Sequence, residues 1–246
     1  MDVMARKPAE ILAVIPARGG SRGVPNKNIR KFAGKPLIVH SIDAAKKASS
    51  VSRVIVWTDS EEIASVARAA GAEVPFLRPA ELATDESKIV DAVIYLLEKL
   101  QKDEGYTPTH VLLLQPTSPL RTPDDIEKAV ELMEKRGADS LVSVCRTENL
   151  LFTKDAGDAL SMLNAEGNTS PNRQELQQCY KLDGSMIYLV KADVLLKEHS
   201  FLAGKLVGYE IERWRAIDID EPQDLVAGGV IFERQDEISK AIRNFS

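Results

Sequence analysis

Short apolar runs recur along the chain at Ile11 to Ile15, Val54 to Trp57, Val111 to Leu114 and Leu141 to Val144. They do not alternate with polar residues. Being apolar on both faces, they predict strands buried between two layers, as in a mostly parallel sheet. Helical patterns separate them. Leu37, Ile38, Ser41, Ile42 and Ala45 mark one amphipathic face, and Ile63, Val66, Ala67 and Ala70 mark a second that Gly71 ends. Ile89, Val93, Leu96, Leu97 and Leu100 form a third. The fourth begins at Thr122-Pro123-Asp124-Asp125, a capping residue, then proline at the first helical position, then an acidic residue three after the cap; Gly137 ends it.

This alternation predicts an α/β fold of three layers, α/β/α and Rossmann-like. Ligands of such folds bind beyond the carboxyl ends of the strands. The loops after Ile15, Trp57, Leu114 and Val144 are therefore where chemistry is expected. The periodicity fails from Glu148 to Lys181, a polar stretch too long for an ordinary connection, which reads as an arm inserted over residues 148–183 of one domain spanning 1–246. Regular patterning returns with strands at Gly184 to Val190 and Leu206 to Glu210. A short strand ending at Asp220 and a final helix from Pro222 toward Ile242 complete the expectation. No internal repeat or low-complexity tract interrupts the pattern.

Composition narrows the function classes. The 246 residues are 44% hydrophobic and 28% charged, ordinary for a globular protein, and 32 Lys and Arg against 37 Asp and Glu leave a net charge of −5. Nonspecific binding of nucleic acid calls for a basic excess, so no nucleic-acid partner is expected and any positive site must be local. Cys145 and Cys179 are far apart, and His40, His110 and His199 lack ligand-spaced neighbours, which argues against a disulfide framework or a Cys- or His-based metal site. No run has membrane-spanning length, and the N-terminal residues are too charged for a signal peptide; a cytoplasmic location is expected.

The local positive site follows the first strand. Between Pro16 and Lys35, Gly19, Gly20 and Gly23 permit close approach of backbone N–H groups to an anion, while Arg18, Arg22 and Lys27 supply charge-assisted hydrogen bonds. A triphosphate suits this loop, although neither G-x-G-x-x-G nor a P-loop is present: Gly34-Lys35 runs into Pro36. Near the other end, in "RAIDIDEPQDL", Asp218 and Asp220 stand two apart, so in an extended segment both carboxylates share one face and Ile217 and Ile219 the other. Magnesium, or manganese in its place, takes one or two carboxylates plus phosphate oxygens, which fits such a pair facing a triphosphate. In "LLLQPTSPLR", Gln115 can donate and accept toward a base or a sugar hydroxyl, or simply sit in a turn. Arg78 in "FLRPAELATD" reaches the same crevice or solvates a loop. Thr58-Asp59-Ser60 reads as the cap of the second helix.

Taken together and in this order, "IPARGGSRGVPNKN", "LRPAELATD", "LLLQPTSPLR" and "AIDIDEPQDL" resemble the acylneuraminate cytidylyltransferases, the CMP-sialic acid synthetase family, from about Ile11 to Leu225. The resemblance implies a nucleotidyltransferase of GT-A-like fold that uses CTP to activate a nine-carbon 2-keto sugar acid and releases pyrophosphate. By motif position it assigns Arg18, Gly19, Gly20, Arg22, Lys27 and Asn28 to the nucleotide and its phosphates, Arg78 and Gln115 to the cytidine or the sugar acid, and Asp218 and Asp220 to Mg²⁺. Arg18, Lys27 and the two aspartates would carry the chemistry. It further implies a homodimer whose arm crosses to the partner's crevice, with Arg173, Gln174, Tyr180, Lys181 and Asp183 near the sugar. The chain departs from the family's arm pattern at Gln177, where proline is usual, and at Asp183, where asparagine is usual. Three other readings share these features: a glycosyltransferase using a nucleotide sugar through D-x-D, a cytidylyltransferase for another keto acid such as Kdo, and a nucleotide-binding subunit without catalysis.

Overall fold

The computed structural model describes residues 9–20, 23–147, 152–162, 178–182 and 186–245. Strand β1 (Ile11–Pro16) leads into a loop and one 3-10 turn at Lys27–Ile29; a small hairpin of β2 (Lys31–Phe32) and β3 (Lys35–Pro36) then delivers the chain to α1 (Leu37–Lys47). β4 (Val51–Trp57), α2 (Glu61–Ala69), α3 (Ile89–Glu104), β5 (His110–Leu113), α4 (Pro123–Arg136) and β6 (Ser140–Thr147) follow. After them come β7 (Phe152–Lys154), β8 (Leu160–Met162), β9 (Cys179–Leu182), β10 (Tyr188–Lys191), α5 (Ala192–Glu198), β11 (Leu206–Glu210), α6 (Pro222–Glu233) and α7 (Gln235–Arg243).

The central sheet runs β11-β6-β10-β5-β1-β4, with β9 also paired to β6. β1 is parallel to β4 and β5, and β11 is parallel to β6; β10 runs antiparallel between β5 and β6. Five strands of this sheet therefore share one direction, and the expected mostly parallel sheet holds, with β9 and β10 reversed. The apolar runs have the two-sided burial inferred from sequence. In β1, Ile11, Ala13 and Ile15 pack with α1, α2 and α4, while Leu12 and Val14 face α3 and α5. Trp57, at the end of β4, is fully buried on the second side.

Local signals set the helix ends. The Ser60 hydroxyl accepts from the Ile63 amide, and Thr122 and Asp125 cap α4 reciprocally. Gly137, at φ 55, adopts the left-handed conformation that closes α4 and would strain a side-chain-bearing residue.

Within the 148–183 stretch, read as an arm, β7 and β8 pair as an antiparallel hairpin, and β9 joins the main sheet through β6. Their short runs lack the apolar periodicity that would have announced them, because nearly all their side chains are exposed. The segment before Asp220 is irregular rather than a strand. The final helix is two, α6 and α7, broken at Arg234, whose φ and ψ of −108 and 14 leave the helical region.

Candidate active site

The carboxyl ends of β1 and β5 open into a cleft of about 360 Å³ that takes residues from three distant stretches of sequence: Arg18, Gly23, Lys27 and Asn28 from the basic loop, Gln115 and Thr117 after β5, and Asp220 and Glu221 before α6. The loop is held in place by its own polar groups. The Asn28 side-chain amide, buried, donates to the Arg18 carbonyl at 3.1 Å, and the Gly19 amide donates to Asp59 Oδ1 at 2.9 Å. Arg18 forms an ion pair with Asp85.

Lys27 decides the arrangement. Its Nζ donates to Asp220 Oδ1 at 2.9 Å, joining residues 193 apart in sequence. Gly23 lies so close to the aspartate segment that a Cβ built on it would stand 2.2 Å from the Asp220 carbonyl oxygen. The arginine-bearing loop and the Asp220 end of the aspartate segment therefore meet at one cleft.

The aspartate segment owes its shape to neighbours. The Ile219 amide donates to the Thr117 carbonyl at 2.9 Å, and the buried Ile219 side chain packs with Phe32 and Leu37. Asp224 Oδ2 accepts from the amides of Asp220 at 2.9 Å and Glu221 at 2.7 Å, so the acidic cap of α6 also fixes the backbone of a cleft residue. Asp220 is exposed, whereas Asp218 is half-buried and its Oδ1 is buried without a hydrogen-bond partner. Burial pushes the Asp218 pKa up; the Thr117 side chain offsets part of this, and the neighbouring Asp220 charge adds to it. A carboxylate oxygen left bare in this way is costly unless a cation meets it. Asp220 lines the cleft beside Arg18 and Lys27, and Asp218, two residues before it, feels the charges of both Asp220 and Lys27; two such carboxylates are the hard-oxygen donors that magnesium takes, and the residues fit that ion. Among the described residues no group of three or more His, Cys, Asp or Glu side chains forms a metal cage.

On the β5 side, the Gln115 carbonyl is anchored by two side-chain donors, Arg121 Nη2 at 2.9 Å and the Ser41 hydroxyl at 3.3 Å, and by the Ser118 amide at 3.5 Å. Its side chain lines the cleft. Arg78 lies beside the cleft without lining it: only 7% exposed, its guanidinium rests 5.3 Å from the Trp57 ring centroid and bonds the Leu82 carbonyl, and its Nε is buried without a partner. Burial lowers its pKa, with the Asp59 charge opposing and that of Arg18 adding. Gly19 and Gly20 belong to the same loop but do not line the cleft; Gly19 packs beside Ser60 and Asp59. Tyr180 and Lys181 are exposed on β9. Arg22, Arg173, Gln174 and Asp183 lie outside the described residues. Asp59, Asp85, Thr117 and Glu221 carry no sequence signal that marks them as site residues. The sequence marks Asp59 only as part of a cap, and nothing local signals its bond to Gly19, 40 residues away.

The sequence profile of one family, Cytidylyltransferase, matches residues 12–227. The chain belongs to the cytidylyltransferase family. This cytidylyltransferase is 41% identical over 224 residues to the CMP-N,N'-diacetyllegionaminic acid synthase of Legionella pneumophila, covering 87% of this chain and 92% of that protein. It is 33% identical over 221 residues to the N-acylneuraminate cytidylyltransferase of Streptococcus agalactiae, covering 87% of this chain but only 51% of that relative, so it spans about half of it. A solved CMP:2-keto-3-deoxy-manno-octonic acid synthetase in complex with CTP superposes with a TM-score of 0.67 at 18% identity, over 92% of this chain and 100% of that one. At that identity the likeness concerns the fold, which is the expected nucleotidyltransferase fold. The expectation of a CTP-dependent nucleotidyltransferase is thus borne out for the family. Among the described residues, no helix is long and apolar enough to cross a membrane.

Proposed function

We propose that this cytidylyltransferase joins CTP to a nine-carbon 2-keto sugar acid, of the N-acylneuraminate or legionaminate type, giving the CMP-sugar and pyrophosphate. The observation that carries the reading is the bond of Lys27 to Asp220, two residues from the bare oxygen of Asp218, which supports a cleft where cationic and metal-holding groups of a nucleotidyl transfer work together. The 41% identity to the Legionella synthase puts legionaminate-type acids first among those to try.

In the proposed mechanism, Arg18 and Lys27 release their carboxylate partners and bond the phosphates of CTP, Asn28 keeps the loop in shape, and Gln115, with Arg78 behind the loop, orients the cytidine or the sugar. The anomeric hydroxyl of the acid attacks the α-phosphorus in line. As the new P–O bond forms, the bond to the β-phosphate oxygen breaks, pyrophosphate leaves with the bonding pair, and the hydroxyl proton passes to water. Charge grows on the departing pyrophosphate, where Arg18 and Lys27 stand. Asp218 and Asp220 would hold Mg²⁺ or Mn²⁺, which when bound neutralises phosphate charge. Gly19 and Gly20, together with Arg22, would shape the phosphate end.

The arm over residues 148–183 fits a role in a homodimer. A two-stranded hairpin is marginal alone in water, and β7–β8 leaves Phe152 and Leu160 exposed, as β9 leaves Tyr180 and Leu182. A second copy would cover them and bring Arg173, Gln174, Tyr180, Lys181 and Asp183 to the sugar. A cytoplasmic location accords with CTP as co-substrate.

The test is pyrophosphate release with each of four nucleoside triphosphates against legionaminic, sialic, pseudaminic and Kdo acids. The expected result is turnover with CTP and a nine-carbon acid. Failure of CTP to release pyrophosphate with any of the acids would reject the reading.

A further inference from the structure

The segment 216–220, which bears Asp218 and Asp220, has no strand or helix ladder to fix it. Its placement comes from the packing of Ile217 and Ile219 with Phe32 and Leu37, from the Lys27 bond to Asp220 and from contacts at its ends. At the far end these are the Asp224 bonds to Asp220 and Glu221 and the Ile219 bond to Thr117. At the near end stands Arg215. Its guanidinium forks over Asp125, with Nη1 on Oδ1 at 3.1 Å and Nη2 on Oδ2; Nη2 also donates to the Leu120 carbonyl at 3.1 Å, and Nη1 to Glu212 Oε2 at 2.9 Å.

Asp125 gives this fork a rigid base. Its side chain is 3% exposed, and besides Arg215 it accepts from the Thr122 amide at 2.8 Å, the Thr122 hydroxyl at 2.7 Å and the Tyr209 hydroxyl at 3.1 Å. It is therefore locked to the start of α4 and to β11. Two ties result between the same pair of segments: Arg215 to the Leu120 carbonyl, and Ile219 to the Thr117 carbonyl. The two segments run past each other like a short clamp, with Asp218 between the ties on one side and Ser118 and Pro119 on the other. A planar five-donor fork can hold a carboxylate and a carbonyl together; an ammonium cannot reproduce that geometry.

We propose that Arg215, anchored on Asp125, is a positioning residue that sets the two aspartates for the metal and thereby aligns the metal with the nucleotide loop. It touches neither substrate nor metal. The proposal rests on the assignment of Asp218 and Asp220 as metal holders given above. Residues that hold metal-ligating carboxylates in place typically change metal affinity by about 10–100-fold when lost.

The test measures Mn²⁺ binding by electron paramagnetic resonance in the presence of CTP, alongside turnover as a function of Mg²⁺, for wild type, Arg215→Lys and Asp125→Asn. Met133→Ala, in the core face of α4, serves as a destabilised control. All are assayed at a temperature where circular dichroism shows each folded. The expected result is a half-saturating Mn²⁺ concentration raised about 10–100-fold in both variants, turnover recovered by excess Mg²⁺, and a control that loses melting temperature with its metal affinity unchanged. Asp125→Asn keeps the volume of the carboxyl and carries the same measurement if Arg215→Lys does not fold. Wild-type Mn²⁺ affinity in the folded variants overturns the positioning role alone. Failure of wild type itself to bind Mn²⁺ with CTP overturns the metal assignment and the positioning role together.

Discussion

Replacing Gly23 by alanine tests directly whether the basic loop and the aspartate segment form one working site. The φ of Gly23 lies outside the left-handed region, so alanine is acceptable to its backbone. The obstacle is tertiary: the new Cβ would stand 2.2 Å from the Asp220 carbonyl oxygen and 3.3 Å from its carbonyl carbon. An ordinary carbon–oxygen contact needs roughly 1 Å more, and both partners are backbone, so loop and segment must move apart by about that much. A displacement of about 1 Å in a catalytic constellation costs on the order of 10²-fold in rate. The expected result is therefore a fall of about 100-fold in kcat/KM, corresponding to about 2.7 kcal/mol of lost transition-state stabilisation. The assay is pyrophosphate release at varied CTP, with a thermal melt beside it. Because the contact joins two loops at the mouth of a cleft, the melting temperature should move by only a few degrees. Gly229→Ala in α6, where nothing stands within 4 Å, controls for the glycine-to-alanine change itself and should stabilise the helix by about 0.5–1 kcal/mol. Wild-type kcat/KM in Gly23→Ala would refute the claim that these two segments must stay in register for turnover.

Asp220→Asn should abolish turnover while weakening CTP binding much less, read by pyrophosphate release and by calorimetry with CTP; full activity in excess Mg²⁺ would contradict the metal assignment. Burial works against the charge of Asp125, but the Arg215 bonds and the Thr122 donors outweigh it and hold the carboxyl below its usual value of 3.8. A depressed folded pKa means the unfolded chain binds the proton first as pH falls, so this stabilisation is complete above about pH 4 and is lost as the pH drops through the folded value. Urea melts between pH 2 and pH 6, ~1 pH unit apart, should show that slope in wild type and a shallower one in Asp125→Asn. Ala33 holds φ 43 in the two-residue turn between β2 and β3, beside Gly34 at φ 91. Asparagine is preferred at such a position, and Ala33→Asn should stabilise by about 0.5–1 kcal/mol in denaturant melts; a lower midpoint would show that the packing of Ala33 outweighs its strain.

Much of this was legible in the chain because it is local. A run such as Leu112-Leu113-Leu114 has nowhere to go but between two layers, and Thr122-Pro123-Asp124-Asp125 satisfies its own helix end within four residues. The positions of Arg18, Lys27, Gln115 and Asp220 could be inferred because each follows the end of a strand or precedes a helix, where the architecture puts ligands. The β7–β8 hairpin is not legible in the sequence, since exposed strands need no apolar alternation. The irregular path of 216–220 is not legible either, because its geometry is imposed by Thr117, Asp224 and Arg215 rather than by its own propensity.

By itself the sequence determined the layers, the helix ends and the inventory of cations and carboxylates, all of which follow from side-chain periodicity and capping over a few residues. Only the tertiary structure decided that Lys27 meets Asp220, that Asp59 takes the Gly19 amide, and that Arg215 ties itself to Asp125. Such pairings join residues 40 to 193 positions apart. They arise from the order in which strands assemble and from the burial that forces each polar group to find a partner, and no local pattern encodes either.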